Sequence, residues 1–123
     1  MAQDWEAKRL RIYLGERDAH KGRPLAEALV RSARDHGLAG ATVFRGVEGY
    51  GVNSRIHSLH PLTLSADLPV LVEIIDVPAR IEAFVPVVLQ MLTAGALVTL
   101  DDVTVVLYKR AGADLPPPGG KLA

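Results

Sequence analysis

The spacing of apolar residues changes along this chain between the period of a β-strand and that of an α-helix. From Lys8 to Gly15 apolar residues alternate with polar ones, which predicts a strand with one apolar face. From Pro24 the apolar residues lie three and four apart, which predicts an amphipathic helix that ends at Gly37. A chain that begins in this way must pack a helix against a sheet.

Three more strands are predicted further along the chain. The first covers residues 41–47 (ATVFRGV). The next covers residues 68–75 (LPVLVEII) and is almost continuously apolar, as expected of a strand buried on both faces. The last covers residues 103–108 (VTVVLY). Between the first two, the segment from Val52 to Asp67 has no clear periodicity and predicts a long functional or mobile loop.

A second helix is predicted between the last two strands. Asp76 and Pro78 suit its start, and Gly95 suits its end. Pro86 removes one backbone donor, so we expect a kink there or a later start of the helix. The predicted apolar stripe consists of Ile81, Phe84, Val85, Val88, Leu89 and Leu92.

The predicted order of elements is β-α-β-β-α-β, the ferredoxin-like arrangement of the α+β class. Right-handed crossovers place the first and third strands in the centre of a four-stranded antiparallel sheet, with both helices on one face. The other face would carry Arg9, Arg11, Tyr13 and Glu73. Self-association is the simplest way to cover such a mixed apolar and charged surface.

Composition and charge narrow the function. The 123 residues carry 14 basic and 14 acidic side chains, so the chain lacks the positive charge expected of a nucleic-acid or membrane-surface protein. The absence of cysteine excludes a disulfide framework and a thiol nucleophile. No signal peptide or membrane span is predicted, so we expect a cytoplasmic protein. Residues 1–110 are predicted to form one domain, and residues 111–123, rich in proline and glycine, a disordered tail.

Glycine is dense in the middle of the chain. One interpretation is a helix end followed by tight turns, because glycine tolerates positive φ. The other interpretation is functional, because a strand that leads into Gly-Tyr-Gly exposes successive amide N–H groups that can hold a phosphate. The spacing alone leaves both open. The glycines concerned are Gly37, Gly40, Gly46, Gly49 and Gly51.

Three motifs in this order carry a resemblance to a known family. They are IYLGE at residues 12–16, GLAGATVFRGVEGYG at residues 37–51 and DLPVLVEIID at residues 67–76. Together they make the chain resemble the uncharacterised PII-like family. At greater distance the chain is similar to the PII signalling proteins, which are ferredoxin-like trimers. Those proteins bind adenine nucleotides in clefts between subunits and present a long loop to partner proteins.

The resemblance implies a regulatory protein, not an enzyme, that forms a homotrimer and binds a small anionic ligand. The ligand would be an adenine nucleotide, and no cofactor would be required. Residues 52–67 would contact a partner protein, such as a membrane transporter or a metabolic enzyme. The implied ligand-binding residues are Thr42, Gly49, Gly51, Val52, Asn53, Lys109 and Arg110.

The chain also departs from the PII pattern. PII proteins carry a Gly-Asp-Gly-Lys turn before the last strand, and its lysine contacts phosphate. Residues 97–102 stand in its place here and end in Asp101 and Asp102, which we expect to lie on a turn and to repel a polyphosphate. A nucleoside monophosphate therefore fits better than a triphosphate.

A second hypothesis is an oligomeric metal-binding or scaffold protein without a nucleotide site, similar to the CutA-like proteins. His57 and His60, three residues apart, could share a divalent metal, although loop histidines are more often exposed polar residues. Ser54, His57 and Asp67 lack a nucleophile elbow, so a hydrolytic triad is not expected. The choice between a trimer and a dimer stays open at this point.

Overall fold

The structure, a computed structural model, describes residues 4–51, 57–58 and 67–117. The central elements follow the predicted β-α-β-β-α-β order, with short strands between and after them. In chain order the elements are β1 (Trp5–Gly15), β2 (Ala19–His20), β3 (Arg23–Pro24), α1 (Leu25–Asp35), β4 (Thr42–Arg45), β5 (Glu48–Gly49), β6 (His57–Ser58), β7 (Pro69–Asp76), α2 (Pro78–Met91), β8 (Leu97–Val105), β9 (Lys109–Arg110) and β10 (Ala113–Asp114).

The main sheet has four antiparallel strands in the order β4-β7-β1-β8. The first and third predicted strands, β1 and β7, lie in the centre, as expected. Both helices pack on one face of this sheet, so the ferredoxin-like α+β fold is confirmed. Alternate residues of β1 and β7 point towards the helices and form the core with them. The buried core residues are Leu10, Ile12, Leu14, Val70, Val72, Ile74, Leu25, Leu29, Ala33, Ile81, Phe84 and Val88.

The strand β7 differs from the prediction of burial on both faces. Val70, Val72 and Ile74 are buried, whereas Glu73 is half-buried and Ile75 is exposed. The reason is that one chain supplies helices to only one side of the sheet. We call the other side, which neither α1 nor α2 covers, the open face.

The last long strand begins earlier than predicted. It starts at Leu97 and ends at Val105, whereas the sequence predicted residues 103–108. Asp101 and Asp102 therefore lie on a strand and not on a turn. Their charges are tolerated there because Arg9 and Lys8 lie opposite them on β1.

The second helix runs through Pro86 as one element but ends at Met91, before the predicted stop at Gly95. Its buried side is narrower than the predicted stripe. Ile81, Phe84 and Val88 are buried, but Leu89 is 54% exposed.

The segments next to the long loop and the tail contain short hairpins. β5 pairs with β6, so part of the predicted loop is extended, while most of residues 52–66 lie outside the described residues. β10 pairs with β9 across a turn at Gly112, which has φ +88°. This hairpin lies partly in the tail that the sequence predicted from residue 111, and residues 118–123 of that tail lie outside the described part.

Two leucines on the two helices provide a test of this packing. Leu29→Ala removes a fully buried side chain, and we expect the free energy of unfolding to fall by about 2–5 kcal/mol. Leu89→Ala removes an exposed one and should change it by no more than about 0.5 kcal/mol. Urea denaturation measures both. Equal losses for the two variants would contradict the described orientation of α2.

Candidate functional site

A cavity of about 410 Å³ lies at one end of the open face, where β1 and β4 begin and β8 ends. Four strands and two loops that are far apart in sequence form its walls. A volume of this size is in the range that accepts a small organic ligand. The lining residues are Trp5, Ala39, Gly40, Ala41, Thr42, Glu73, Ile75, Val105, Leu107 and Tyr108.

Two aromatic residues form one wall of the cavity. The rings of Trp5 and Tyr108 meet edge to face, with centroids 6.1 Å apart and an interplanar angle of 73°. The indole Nε1 of Trp5 is buried and has no hydrogen-bond partner within the described part of the chain. Trp5 is also the only tryptophan of the protein, so its fluorescence reports on this cavity alone.

The cavity lining is almost uncharged. Among the described residues that line it, Glu73 is the one with an acidic or basic side chain, and Arg11 Nε donates to Glu73 Oε2 at 2.9 Å. Among the described residues, no lysine or arginine belongs to the lining itself. The cavity is therefore suited to an apolar or hydrogen-bonding ring, and a phosphate group would need cations from outside it.

Two further ion pairs join β1 to β8. Arg9 donates to both oxygens of Asp101, at 3.0 Å and 2.5 Å, and Lys8 Nζ donates to Asp102 Oδ1 at 2.8 Å. The hydrogen bond from Arg9 lowers the pKa of Asp101, and the hydrogen bond to Asp102 raises the pKa of Lys8. The two carboxylates expected to repel a polyphosphate thus already have cationic partners.

The structure separates the predicted ligand-binding residues into two groups. Thr42 lines the cavity, and Lys109 and Arg110 follow directly on the lining residue Tyr108. Gly49 and Gly51 come after the other end of β4, beyond Arg45, which pairs with Val70. Val52 and Asn53 lie outside the described residues.

The glycines at that other end have a clear packing role. A Cβ at Gly46 would lie 2.7 Å from Pro69 Cγ, and one at Gly49 would lie 3.3 Å from the same atom. Gly46 also donates its backbone N–H to the Pro69 carbonyl at 2.8 Å. Within the described residues, nothing lies within 4 Å of a Cβ added at Gly51. Packing therefore explains two of these glycines but not Gly51.

The C-terminal end of the long loop is held close to the same proline in sequence. The backbone N–H of Arg17 donates to Asp67 Oδ1 at 2.7 Å, and the N–H of Glu16 donates to the Leu68 carbonyl at 2.8 Å. Arg45 donates to the carboxylate of Glu16. Asp67, the last residue of the long loop, is thus hydrogen-bonded to the segment that follows β1.

Sequence reasoning missed Trp5, Tyr108 and Ile75 as cavity residues. Trp5 lies before the segment predicted as the first strand, and Tyr108 was assigned to a strand that has already ended. The pairing of Trp5 with Val105 brings the two aromatic residues together. The only available signal was the rarity of tryptophan in the chain.

Metal ligation and membrane insertion find no support in the part of the chain that the structure describes. Within that part, no group of three or more His, Cys, Asp or Glu side chains could hold a metal ion. Of the predicted histidine pair, His57 is described by its backbone alone and His60 is not described. No helix in residues 4–51 or 67–117 is long and apolar enough to cross a membrane.

Comparison with solved structures identifies the fold as that of the PII-like signalling proteins. CPII from Thiomonas intermedia K12, a nitrogen regulatory PII-like protein bound to ADP, AMP and bicarbonate, has a TM-score of 0.55 at 20% identity, covering 85% of this chain and 92% of that one. A putative PII-like signaling protein from Thermus thermophilus has a TM-score of 0.57 at 15% identity, with coverage of 85% and 92%.

Within that fold, the chain belongs to the DUF190 family, described as Uncharacterized ACR, COG1993, whose model matches residues 7–105. A UPF0166 protein from Aquifex aeolicus (strain VF5) is 38% identical over 99 residues, which cover 80% of this chain and 92% of the relative. A UPF0166 protein from Methanocaldococcus jannaschii is 31% identical over 97 residues, with coverage of 79% and 89%. The expected membership of the uncharacterised PII-like family is confirmed.

The ion pair between Arg9 and Asp101 predicts a measurable pKa. The pKa of Asp101 is lowered in the folded protein, so the pair stabilises the fold at neutral pH and this contribution is lost as the pH falls through the folded-state pKa. In Arg9→Gln we expect the pKa of Asp101 to rise to its ordinary range. A carboxyl-carbon NMR titration measures it.

Lys8→Gln is the matched control for that titration. It removes the partner of Asp102, which is the neighbouring residue, and leaves both hydrogen bonds between Arg9 and Asp101 in place. The pKa of Asp101 should therefore stay low in this variant. A low pKa in Arg9→Gln as well would show that Arg9 is not its cause.

Proposed function

We propose that the protein is a PII-like regulatory protein that binds an adenine nucleotide in a cleft between subunits. A partner protein, such as a membrane transporter or metabolic enzyme of the cytoplasm, is contacted through the loop at residues 52–67. The protein itself carries out no reaction. The observation that carries the proposal is the cavity beside Thr42, because it is nearly uncharged, ring-sized and formed at a motif of the family.

The open face supports an oligomer. It exposes Tyr13, Phe44, Ile75 and Leu97 by 36–54%, next to the ion pairs of Arg9 and Arg11. Apolar surface of this kind is typical of an interface. Because these arginines are already neutralised within the chain, copies can bring their open faces together without leaving a charge unpaired. A homotrimer, as in PII proteins, would bury this face.

The separation of the proposed ligand residues also favours a site between subunits. Within one chain, Thr42 lies at the opposite end of β4 from Gly49 and Gly51. A site between subunits would let one ligand contact Thr42 of one copy and Gly51 of the next. In that arrangement the base enters the cavity of one copy, and its phosphate meets the amides near Gly51 of the next.

The neighbours support the class of ligand. CPII was solved with ADP and bicarbonate, and with ADP, AMP and bicarbonate. In the present chain the cavity lining provides no cation among the described residues, so the phosphate would depend on Lys109, Arg110 and backbone amides. Two basic side chains balance a monophosphate better than a triphosphate, which makes AMP the favoured ligand and ATP the weakest of the three.

Titration of the intact protein with AMP, ADP and ATP tests the proposal through the fluorescence of Trp5. We expect a saturable change with AMP or ADP and a raised melting temperature, since a ligand at about 100 times its dissociation constant stabilises a fold by about 2.7 kcal/mol. Analytical ultracentrifugation gives the oligomeric state in the same buffer. A monomer that responds to no nucleotide would contradict the proposal, and a response to divalent metals alone would favour the metal-binding hypothesis.

Gly51→Phe tests the loop amides separately from the fold. No atom of the described residues lies within 4 Å of a Cβ at Gly51, so a side chain can begin there without touching a described neighbour. We expect the nucleotide response to be lost while the oligomer and the melting temperature of the free protein stay unchanged. Ala83→Phe places the same ring at an exposed position of α2 and should bind nucleotide normally.

A further inference from the structure

Asp76, the last residue of β7, is a buried carboxylate inside an otherwise apolar core. It is 0% exposed and is the only polar residue among the buried side chains of the described ranges. Its Oδ1 accepts the backbone N–H of Val77 at 2.7 Å, and its Oδ2 accepts the backbone N–H of Ala39 at 2.9 Å. One carboxylate thus joins the start of α2 to a loop 37 residues earlier in the chain.

Burial of a carboxylate is costly unless hydrogen bonds replace the water it loses. Here two backbone N–H groups do so, and the first turn of α2 adds its partial positive charge, since helix N-termini favour anions. Among the ion pairs of the described residues, none gives Asp76 a cation. The Asp76 carboxylate therefore depends on these two backbone N–H groups for its hydrogen bonds. In turn, the carboxylate fixes the positions of the two N–H groups.

Arg80 holds the same loop at a second point. Its guanidinium donates to the carbonyl oxygen of Gly37. Gly37 has φ +80°, a conformation in which glycine is favoured, and the chain turns there after α1. The N–H of Leu38 donates to the Ala33 carbonyl at 3.0 Å, which closes the helix end. Residues 37–39 are thus bonded on both sides.

The residues that follow directly are the wall of the cavity. Ala39, Gly40, Ala41 and Thr42 all line it. We infer that Asp76 is a positioning residue of the ligand site, which sets the place of this wall through the N–H of Ala39. The inference rests on the proposed function, because it concerns the affinity of the same cavity.

The effect on affinity follows from preorganisation. A wall already held in its bound position need not be ordered when the ligand arrives, so binding loses less entropy. Without the bond from Ala39, residues 39–41 gain freedom that each ligand molecule must remove again. The start of α2, which lies outside the cavity, thereby influences the affinity within it.

Asp76→Asn is the most informative variant. The amide keeps the shape of the side chain but has one acceptor oxygen, so it cannot accept both N–H groups as the carboxylate does. We expect amide hydrogen exchange of Ala39 to become about tenfold faster relative to the other amides of the sheet. We also expect AMP affinity, measured by Trp5 fluorescence, to fall about tenfold, the size expected for a lost hydrogen bond to a charged group.

Val88→Ala is the control for a merely structural role. It shortens a fully buried side chain of α2 and lowers global stability, but Val88 does not line the cavity. At temperatures well below its melting point it should bind AMP as the unaltered protein does. Arg80→Ala, which removes a half-buried side chain, should weaken binding even if Asp76→Asn does not fold.

The two possible failures are distinguishable. If the unaltered protein binds AMP and both Asp76→Asn and Arg80→Ala bind it equally well, the inference is wrong and the proposed function stands. If the unaltered protein binds no nucleotide, the proposed function fails and the inference with it. Unchanged exchange of the Ala39 amide in Asp76→Asn would overturn the inference without any ligand.

Discussion

Leu10, Ile12, Val72 and Ile74 lie side by side on the helix face of β1 and β7, and none of them is more than 1% exposed. The rest of the fold depends on this contact between two antiparallel strands and the helices that cover them. Burial of four such side chains contributes about 6–12 kcal/mol before the entropy of folding is subtracted. Because the helices cover only this side, the alternate residues of the same strands lie on the open face.

The open face combines charged and apolar side chains. Arg9 and Arg11 are central on it, yet each has a carboxylate from a neighbouring strand, Asp101 and Glu73 respectively. Exposed pairs of this kind add little to stability. Their greater effect is on association. Because both arginines of β1 already have partners, a second copy can cover the apolar and the charged parts of the open face together. The cavity lies at the end of this face and shares Glu73 with it.

The sequence predicted the elements well where local periodicity determines them. The alternation of β1 and the helical spacing of α1 each specify their own structure, and Gly37 marks a true helix end with positive φ. The bounds of the other elements depend on contacts with residues far away in the sequence. The extent of β8 depends on its pairing with β1, where Arg9 and Lys8 meet carboxylates 92 and 94 residues away, and no local pattern records a contact of that range.

In the candidate site too, the sequence predicted one residue from a motif and missed those that only strand pairing brings together. The resemblance of the GLAGATV motif led to Thr42, and the structure places Thr42 in the cavity wall. Trp5 and Tyr108 could not be found by motif or spacing, because only the register of β1 against β8 brings them together.

The same sheet order leaves the outer edge of β8 unpaired over nine residues within the described part of the chain. Such an edge can recruit further strands into fibres. Asp101 and Asp102 with their partners Arg9 and Lys8 place charged side chains along this edge, and charged residues on an edge strand oppose such growth.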